Sequence, residues 1–278
     1  MILELTIDVP RDGIDLAVRE AYALGVQGLQ VRDDEGSGAP PGRAQVICWL
    51  DANSPPATDA LVAALGGDAR VTLAPVALDW PGADDVVHVG RRLAILPPEH
   101  LWAWRGPRHP VAVDGRVAFG DGLHPTTVLS LLAVERACGR REPRTLLDVG
   151  TGTGVLAIAA ARLVPGLRPV AVDVDPLARA AAEQHADVND VPIDVREAVP
   201  EGRFEVVLAN LYRHVLLELG PTLARAVCPG GRLFVSGLRA SDVAPVDATL
   251  RAAGLRFTRR AELGGWAGLS YTRPAPRV

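Results

Sequence analysis

The chain has 278 residues, of which 48% are hydrophobic and 22% charged, and its formal net charge is −4. This length and composition suit one large globular domain or two smaller ones. A protein that grips nucleic-acid phosphates usually carries a basic patch, and no dense basic run occurs here. The composition therefore disfavours direct recognition of nucleic acid.

Cysteine usage and hydropathy predict a cytoplasmic protein. Cys48, Cys138 and Cys228 are widely spaced and form no CxxC pair, which is typical of reduced thiols and not of a disulfide frame or a metal site. The N-terminal segment ILELTIDVP has no basic region of the kind that opens a signal peptide. Apolar stretches such as VLAIAAARLV are too short to cross a bilayer, so we expect no membrane partner.

The first 78 residues predict a small α+β domain. Hydrophobic alternation indicates strands, and helical spacing indicates helices, in the order βαββαβ. The predicted strands are 2–9, 28–31, 44–50 and 70–76, and the predicted helices are 13–24 and 58–65. This order is typical of a ferredoxin-like sandwich, which supports many unrelated functions.

Residues 79–110 are predicted to be an irregular linker. This stretch is rich in proline, histidine and tryptophan, including Trp80, Trp102 and Trp104. We expect these tryptophans to pack onto a domain, and the alternative is that they contact a partner.

The remaining residues, 111–278, predict a Rossmann-like domain. A strand is expected at 111–119 and a helix at VLSLLAVERA, and strands then alternate with helices to the end of the chain, including a helix at 155–163 and a strand at 232–236. Alternation of this kind indicates a mostly parallel sheet with helices on both faces.

A glycine-rich turn joins the first strand of this alternation to its helix. The strand ends in Asp148 and is followed by Gly150, Gly152 and Gly154. Glycines at such a turn let a ligand approach the backbone, and the helix start offers free N–H groups. The spacing departs from the GxGxxG dinucleotide pattern, and the acidic Asp148 suits a ligand end that carries an ammonium group.

Two further strands end in polar side chains. Asp173 ends the next strand, where a carboxylate can accept both hydroxyls of a ribose, while Asp175 before Pro176 is predicted to cap a helix. Asn210 ends VVLAN, and in an open α/β sheet it should lie beside the first two features. An asparagine carbonyl can accept a hydrogen bond from an amine, and Tyr212 suits a cation by cation–π attraction.

The segment AFGDGLHPTT precedes a predicted helix. Thr126 or Thr127 is expected to cap that helix while its hydroxyl faces a ligand. His124 is either a general base or a structural residue that holds the loop, and the sequence leaves both open.

Taken together, these segments resemble the ribosomal protein L-eleven methyltransferase family (PrmA). AFGDGLHPTT is similar to its AFGTGxHxTT loop, LLDVGTGTGVLAIAA to its cofactor loop, VAVDVDP to its acidic strand, and VLANLY with CPGGRLFVSGL to its active-site strand and following hairpin. The resemblance implies a class I methyltransferase sheet, S-adenosyl-L-methionine as cofactor, and methyl transfer to lysine or α-amino groups of a ribosomal protein. It also implies that Asn210 orients the substrate amine. We expect the protein to be a monomer. The predicted cofactor site comprises Thr127, Asp148, Gly150, Gly152, Gly154, Asp173 and Asn210.

Two other hypotheses stay open. Asp121 stands where the family loop has threonine, and the linker lacks a second tryptophan of the WxxxW kind. These differences suit a methyltransferase of the same fold that acts on another protein or on a small amine. A cofactor-binding module without catalysis is the third hypothesis, and the intact glycine loop, Asp173 and Asn210 argue against it.

Overall fold

The computed structural model describes residues 2–24, 29–33, 40–51, 58–66, 68–75, 86–115, 118, 124–139 and 142–275. The chain divides into two compact units, Met1–Ala83 and Asp84–Val278. No helix in these described ranges is both long enough and apolar enough to span a membrane.

The first unit is a four-stranded antiparallel sheet with two helices. Its elements are β1 (Ile2–Pro10), α1 (Ile14–Ala23), β2 (Leu29–Asp33), β3 (Arg43–Asp51), α2 (Thr58–Leu65) and β4 (Arg70–Pro75). The strand order is β2-β3-β1-β4, and each neighbouring pair is antiparallel. This is the predicted ferredoxin-like arrangement, which is confirmed.

Alternation along β1 explains how this unit builds its core. Leu5, Ile7 and Val9 point to one side and are buried, as the two-residue period of a strand requires. Ala17 and Ala21, one helical turn apart on α1, are buried in the same cluster.

The second unit contains ten strands and five α-helices among its described residues. They are β5 (Val87–Val89), β6 (Leu93–Leu96), β7 (His109–Ala112), α3 (Pro125–Ala137), β8 (Leu146–Val149), α4 (Val155–Leu163), β9 (Val170–Val172), α5 (Pro176–Val188), β10 (Asp194–Arg196), β11 (Phe204–Asn210), α6 (Arg213–Ala226), β12 (Val227–Arg239), α7 (Val243–Ala252), β13 (Arg256–Leu263) and β14 (Trp266–Thr272).

Seven of these strands form one mostly parallel sheet, in the order β10-β9-β8-β11-β12-β14-β13. The first five are parallel to one another, and β14 is antiparallel to the strands on either side of it. This confirms the predicted Rossmann-like sheet. The chain order reverses between β8 and β11, which is the point where open α/β sheets bind ligands at the carboxyl ends of their strands.

Both faces of the central strands are covered. Leu146 and Leu208 belong to one buried cluster with α3 and α4, whereas Leu147 and Val207 belong to another with α6 and α7. Strands buried on both faces read as continuous apolar runs, which is why the sequence LLDV predicts a central strand.

Residues 86–110 differ from the predicted irregular linker. They form β5, β6 and a 3-10 helix at Pro98–Ala103, and they belong to the second unit. β6 lies between β5 and β7 and is buried along its whole length, and its Leu93 and Ile95 belong to the core cluster that includes residues of α3 and α4. Trp104 packs as expected and donates from Nε1 to the carbonyl of Arg108, whereas Trp102 is 86% exposed. Trp80 lies outside the described residues.

Candidate functional site

The glycine-rich turn lies between β8 and α4, at the switch point of the large sheet. Gly150, Gly152 and Gly154 have φ angles of 73°, 55° and 81°, a left-handed conformation that glycine adopts without steric penalty. The backbone N–H groups of Gly150 and Thr151 both donate to the carbonyl of Val172, at 2.8 and 3.0 Å. The turn is therefore attached to the end of β9.

Asp148 is completely buried at the end of β8. Its Oδ2 accepts a hydrogen bond from the Thr151 hydroxyl at 2.7 Å, and its Oδ1 has no partner. Burial raises the pKa of this carboxyl to about 7, helped by the nearby charge of Asp173, while the hydrogen bonds from Thr151 and the backbone of Ala157 act in the opposite direction. A cationic group placed beside Oδ1 would stabilise the ionised form.

Asp173 follows β9 and holds the turn from its other side. Its Oδ2 accepts from the backbone N–H of Gly152 at 3.0 Å, and its Oδ1 accepts from the N–H of Asp175 at 3.1 Å. A carboxylate has about four acceptor sites, so both oxygens keep capacity for a ligand. Asp175 caps α5 by accepting from the N–H of Leu177, as predicted from its position before Pro176.

Asn210 is brought next to the turn and to α3 by the register of the sheet. It lies opposite Ser236 of β12, and the Ser236 hydroxyl donates to the carbonyl of Thr126 at 3.3 Å. The following residue, Leu211, reaches the turn, because a Cβ added to Gly150 would lie 2.2 Å from its Cδ2. Asp148, Gly150, Asn210 and the start of α3 thus share one edge of the sheet.

Three of the predicted side chains present buried polar atoms that lack a partner. Six buried side-chain nitrogen or oxygen atoms in the described part of the chain make no hydrogen bond, and Thr127 Oγ1, Asp148 Oδ1 and Asn210 Oδ1 are three of them. Buried polar atoms are nearly always hydrogen-bonded, so such a concentration at one edge of a sheet indicates a ligand site.

Comparison with known proteins decides the family. Residues 83–274 match the model of the family described as Ribosomal protein L11 methyltransferase (PrmA). This chain belongs to that family. A ribosomal protein L11 methyltransferase of Myxococcus xanthus (strain DK1622) is 33% identical over 293 residues, which cover 98% of each chain. One from Pelotomaculum thermopropionicum is 33% identical over 307 residues, covering 96% of this chain and 97% of the relative.

A solved structure agrees with this assignment. The ribosomal protein L11 methylase from Lactobacillus delbrueckii subsp. bulgaricus superposes with a TM-score of 0.62 at 28% identity, over 68% of this chain and 98% of that chain. The chain is therefore a methyltransferase of the L11 methyltransferase family with the class I fold, and the resemblance recognised from the sequence is confirmed.

The start of α3 differs in one detail from the sequence prediction. Thr126 and Thr127 do not cap the helix: both lie buried in its first turn, and the ring of His124 accepts from the Thr126 N–H at 3.3 Å. Pro125 occupies the first helical position, which moves the cap one residue earlier than the threonines. His124 Nδ1 also lies 2.7 Å from the Thr126 hydroxyl, a structural role for this histidine. Asp121 lies outside the described residues.

Two aromatic residues stand near this edge of the sheet. Tyr212 is 49% exposed, and its ring stacks on that of His214 with 6.0 Å between the centroids. Trp266 was not predicted as a site residue. Its ring makes an edge contact with that of His124 at 4.8 Å, and the Arg239 guanidinium lies 4.0 Å from the Trp266 ring centroid.

Ser236 and Arg179 also support this edge of the sheet, and neither was predicted as a site residue. Arg179 Nη1 donates to the carbonyls of Asp173 and Val174 at 2.9 Å each, so it holds the turn that carries Asp173. Ser236 is placed by the pairing of β12 with β11, which local spacing does not reveal. Arg179 bonds from the start of α5 to carbonyls five and six residues earlier, and no sequence motif marks an arginine for that contact.

Replacing Gly150 with alanine should destabilise the protein and disturb the site. The alanine would have to keep the left-handed φ of Gly150, and its Cβ would collide with Leu211 Cδ2. Gly166→Ala is a matched control, because Gly166 has a φ of 84° and nothing within 4 Å of the added Cβ. We expect Gly150→Ala to lower the free energy of unfolding by about 1–3 kcal/mol more than the control in chemical denaturation. Equal losses would show that Leu211 yields without strain.

Asp148→Asn should change how stability depends on pH. The pKa of Asp148 is raised in the folded state, so this group contributes stability below about pH 4 that is lost as the pH rises through about 7. In the absence of ligand, the variant should gain up to about 4 kcal/mol relative to the wild type between pH 4 and pH 8. Guanidinium denaturation at pH 4 and pH 8 measures this gain. Parallel pH profiles for the two proteins would contradict the assignment.

Proposed function

We propose that this chain transfers methyl groups from S-adenosyl-L-methionine to amine groups, lysine side chains or an α-amino group, of a ribosomal protein. The observation that carries the proposal is the set of unpaired buried atoms at Thr127, Asp148 and Asn210, at the edge of the sheet that carries the glycine turn. A ligand with a nucleoside at one end and an amino acid at the other has the groups to pair with them. The two relatives from Myxococcus xanthus and Pelotomaculum thermopropionicum, both named ribosomal protein L11 methyltransferases, support the acceptor class.

The residues present fit this cofactor. Asp173 keeps acceptor capacity for the ribose hydroxyls, and Asp148 offers a buried carboxylate to the ammonium end. The left-handed glycines at 150, 152 and 154 keep the turn free of Cβ atoms where a ligand approaches. When bound, S-adenosyl-L-methionine supplies an electrophilic methyl group on a sulfonium.

Asn210 is suited to hold the acceptor amine. Its carbonyl oxygen is buried, unpaired and uncharged, so it can accept a hydrogen bond from an amine N–H while the nitrogen lone pair stays free to attack. Because the Asn210 oxygen carries no charge, it does not favour the protonated ammonium form of the amine, which has no lone pair. Positioning of the neutral amine is then the main contribution of the protein.

The charge of the two units supports a basic protein as acceptor. Residues 1–83 hold 12 acidic and 5 arginine side chains, a formal charge of −7, whereas residues 84–278 hold 21 acidic and 24 arginine side chains, a formal charge of +3. An acidic unit repels nucleic acid and attracts a basic protein. We therefore assign substrate recognition to the ferredoxin-like unit and methyl transfer to the second unit, with the boundary near residue 83.

Transfer of labelled methyl tests the proposal directly. The purified enzyme is incubated with labelled S-adenosyl-L-methionine and either purified ribosomal protein L11 or a whole lysate, and the products are hydrolysed to amino acids. Because this chain contains no lysine, any methyl-lysine comes from the acceptor. We expect labelled L11. If only another lysate component is labelled, the acceptor is that component and not L11. If the cofactor binds but no methyl is transferred, the result favours a non-catalytic module.

Recognition by an acidic unit should depend on salt. The screening length falls from about 10 Å at 0.1 M salt to about 3 Å at 1 M, so attraction between exposed charges weakens across this range. We expect KM for a basic acceptor to rise roughly tenfold between 0.05 and 0.5 M NaCl, with the affinity for S-adenosylhomocysteine changing much less. Initial rates and calorimetry in the same buffers provide the comparison. A KM that is independent of salt would contradict electrostatic recognition.

A further inference from the structure

His185 lies on the buried side of α5, between the glycine turn and the segment that follows β7. Its ring is 2% exposed. Nδ1 is 2.9 Å from the carbonyl oxygen of Thr153, inside the turn, and Nε2 is 3.0 Å from the backbone nitrogen of Asp114. Both ring nitrogens are thus bonded to backbone from two different parts of the fold.

These two partners determine which nitrogen carries the proton. A carbonyl oxygen only accepts, so Nδ1 must donate to Thr153, and a backbone N–H only donates, so Nε2 must accept from Asp114. The ring is therefore neutral, with its proton on Nδ1. One side chain satisfies a buried carbonyl of the turn and a backbone N–H of the neighbouring segment.

Asn189 follows the last residue of α5, one helical turn beyond His185, and provides a structural comparison. Its amide donates to the carbonyl of Ala112 at 2.6 Å and accepts from the N–H of Ala112 at 2.8 Å, and the residue is fully buried. Asn189 therefore holds the same strand region as His185. Its side-chain hydrogen bonds are to Ala112 and to the carbonyl of His185, and none of these three bonds is to the glycine turn.

The glycine turn depends on outside contacts for its shape. Three of its five residues are glycines with positive φ, and glycine loses more conformational freedom on ordering than any other residue. The carboxylate of Asp173 holds the N–H of Gly152, and His185 holds the carbonyl of the next residue, Thr153. Gly154 rests on α5 itself, because a Cβ added there would lie 3.1 Å from Cβ of Ala182.

We propose that His185 is a positioning residue for cofactor binding: it holds the Thr153 carbonyl and so keeps the glycine turn in the shape that receives the ligand. This inference rests on the proposed function, since the ligand is the proposed cofactor. Asp114 orients the ring, and the bond to Thr153 carries the effect. His185 itself contacts no reacting atom.

Calorimetric titration with S-adenosylhomocysteine tests the proposal without relying on activity. His185→Phe keeps the ring but removes both hydrogen bonds, and Asn189→Leu is the matched control that loosens the same strand. We expect His185→Phe to weaken binding at least tenfold and Asn189→Leu to weaken it less than threefold, measured well below both melting temperatures. Equal affinity of His185→Phe and the wild type would overturn the inference, and so would an equal loss in the control. Failure of the wild type to bind would instead overturn the proposed function.

Two further substitutions of His185 distinguish the effects of its two hydrogen bonds. Asparagine at 185 places an amide N–H near the position of Nδ1, and glutamine places a carbonyl near the position of Nε2. We expect His185→Asn to keep most of the affinity and His185→Gln to lose it as His185→Phe does. The opposite order would assign the effect to Asp114 and not to the glycine turn.

A measurement on the wild type covers the case in which the variants do not fold. In a long-range nitrogen–proton spectrum, one of the six histidine rings should show the neutral form protonated on Nδ1. We expect the resonances of that ring to shift when S-adenosylhomocysteine is added. If no ring with this protonation responds to the ligand, the inference is wrong.

Discussion

Replacement of Asp173 with alanine is expected to weaken the binding of S-adenosylhomocysteine at least 100-fold. The carboxylate would bond the ribose hydroxyls, and it already accepts from the backbone N–H groups of Gly152 and Asp175. Hydrogen bonds to a charged group contribute roughly 1.5–3 kcal/mol each, so loss of two ribose contacts corresponds to about 3 kcal/mol or more, a factor of ~100. Calorimetry on the purified variant gives the dissociation constant.

Asp175→Ala is the control for this prediction. Asp175 lies two residues away and caps α5 by accepting from the Leu177 N–H, yet it makes no recorded bond to the glycine turn. Loss of a helix cap typically costs about 1 kcal/mol of stability, so the control should melt earlier while keeping its affinity. A dissociation constant of Asp173→Ala that equals that of the wild type would refute the ribose assignment.

The part of the fold that could be predicted is the part where local pattern and tertiary environment agree. Helix α4 was predicted at 155–163 and is observed at Val155–Leu163, because an alanine-rich apolar run after a glycine turn has few alternatives. β10 was missed, since Asp194–Arg196 is a short polar strand at the sheet edge without alternation. β12 extends over Val227–Arg239, but it was predicted only at 232–236. The prediction began too late because the Pro-Gly-Gly segment before residue 232 is typical of a turn.

The residues of the site also divide into predictable and unpredictable ones. Asp148, Asp173 and Asn210 each end a strand, and the geometry of parallel sheets brings strand ends together at the switch point. His185 lies in the middle of a helix, and only the packing of α5 against the turn gives it a role. Residues that act through a fold partner leave no local signal. The strand-end residues could therefore be found from the sequence, and the residues that support them could not.

Asn210→Ala is expected to lower kcat about 100-fold or more while leaving the affinity for S-adenosylhomocysteine within about tenfold of the wild type. The reason is that the amide is proposed to orient the acceptor amine. Misplacement of a reactant by about 1 Å can reduce the rate 100-fold. The unpaired, buried Oδ1 is the atom whose loss should matter. Single-turnover rates and calorimetry separate the two effects. A large fall in cofactor affinity with an unchanged rate constant would make Asn210 a binding residue only.

Asn210→Asp distinguishes positioning from charge. Aspartate keeps an oxygen at the same place, but its negative charge favours the protonated ammonium form of the acceptor, which cannot attack. We expect the rate of this variant to be low at neutral pH and to recover as the pH rises, so that its pH–rate profile is displaced to more alkaline pH than that of the wild type. Coincident profiles would mean that the acceptor amine does not lie against residue 210. A displaced profile would place the amine there, because the charge can hold the proton on the amine only from close range.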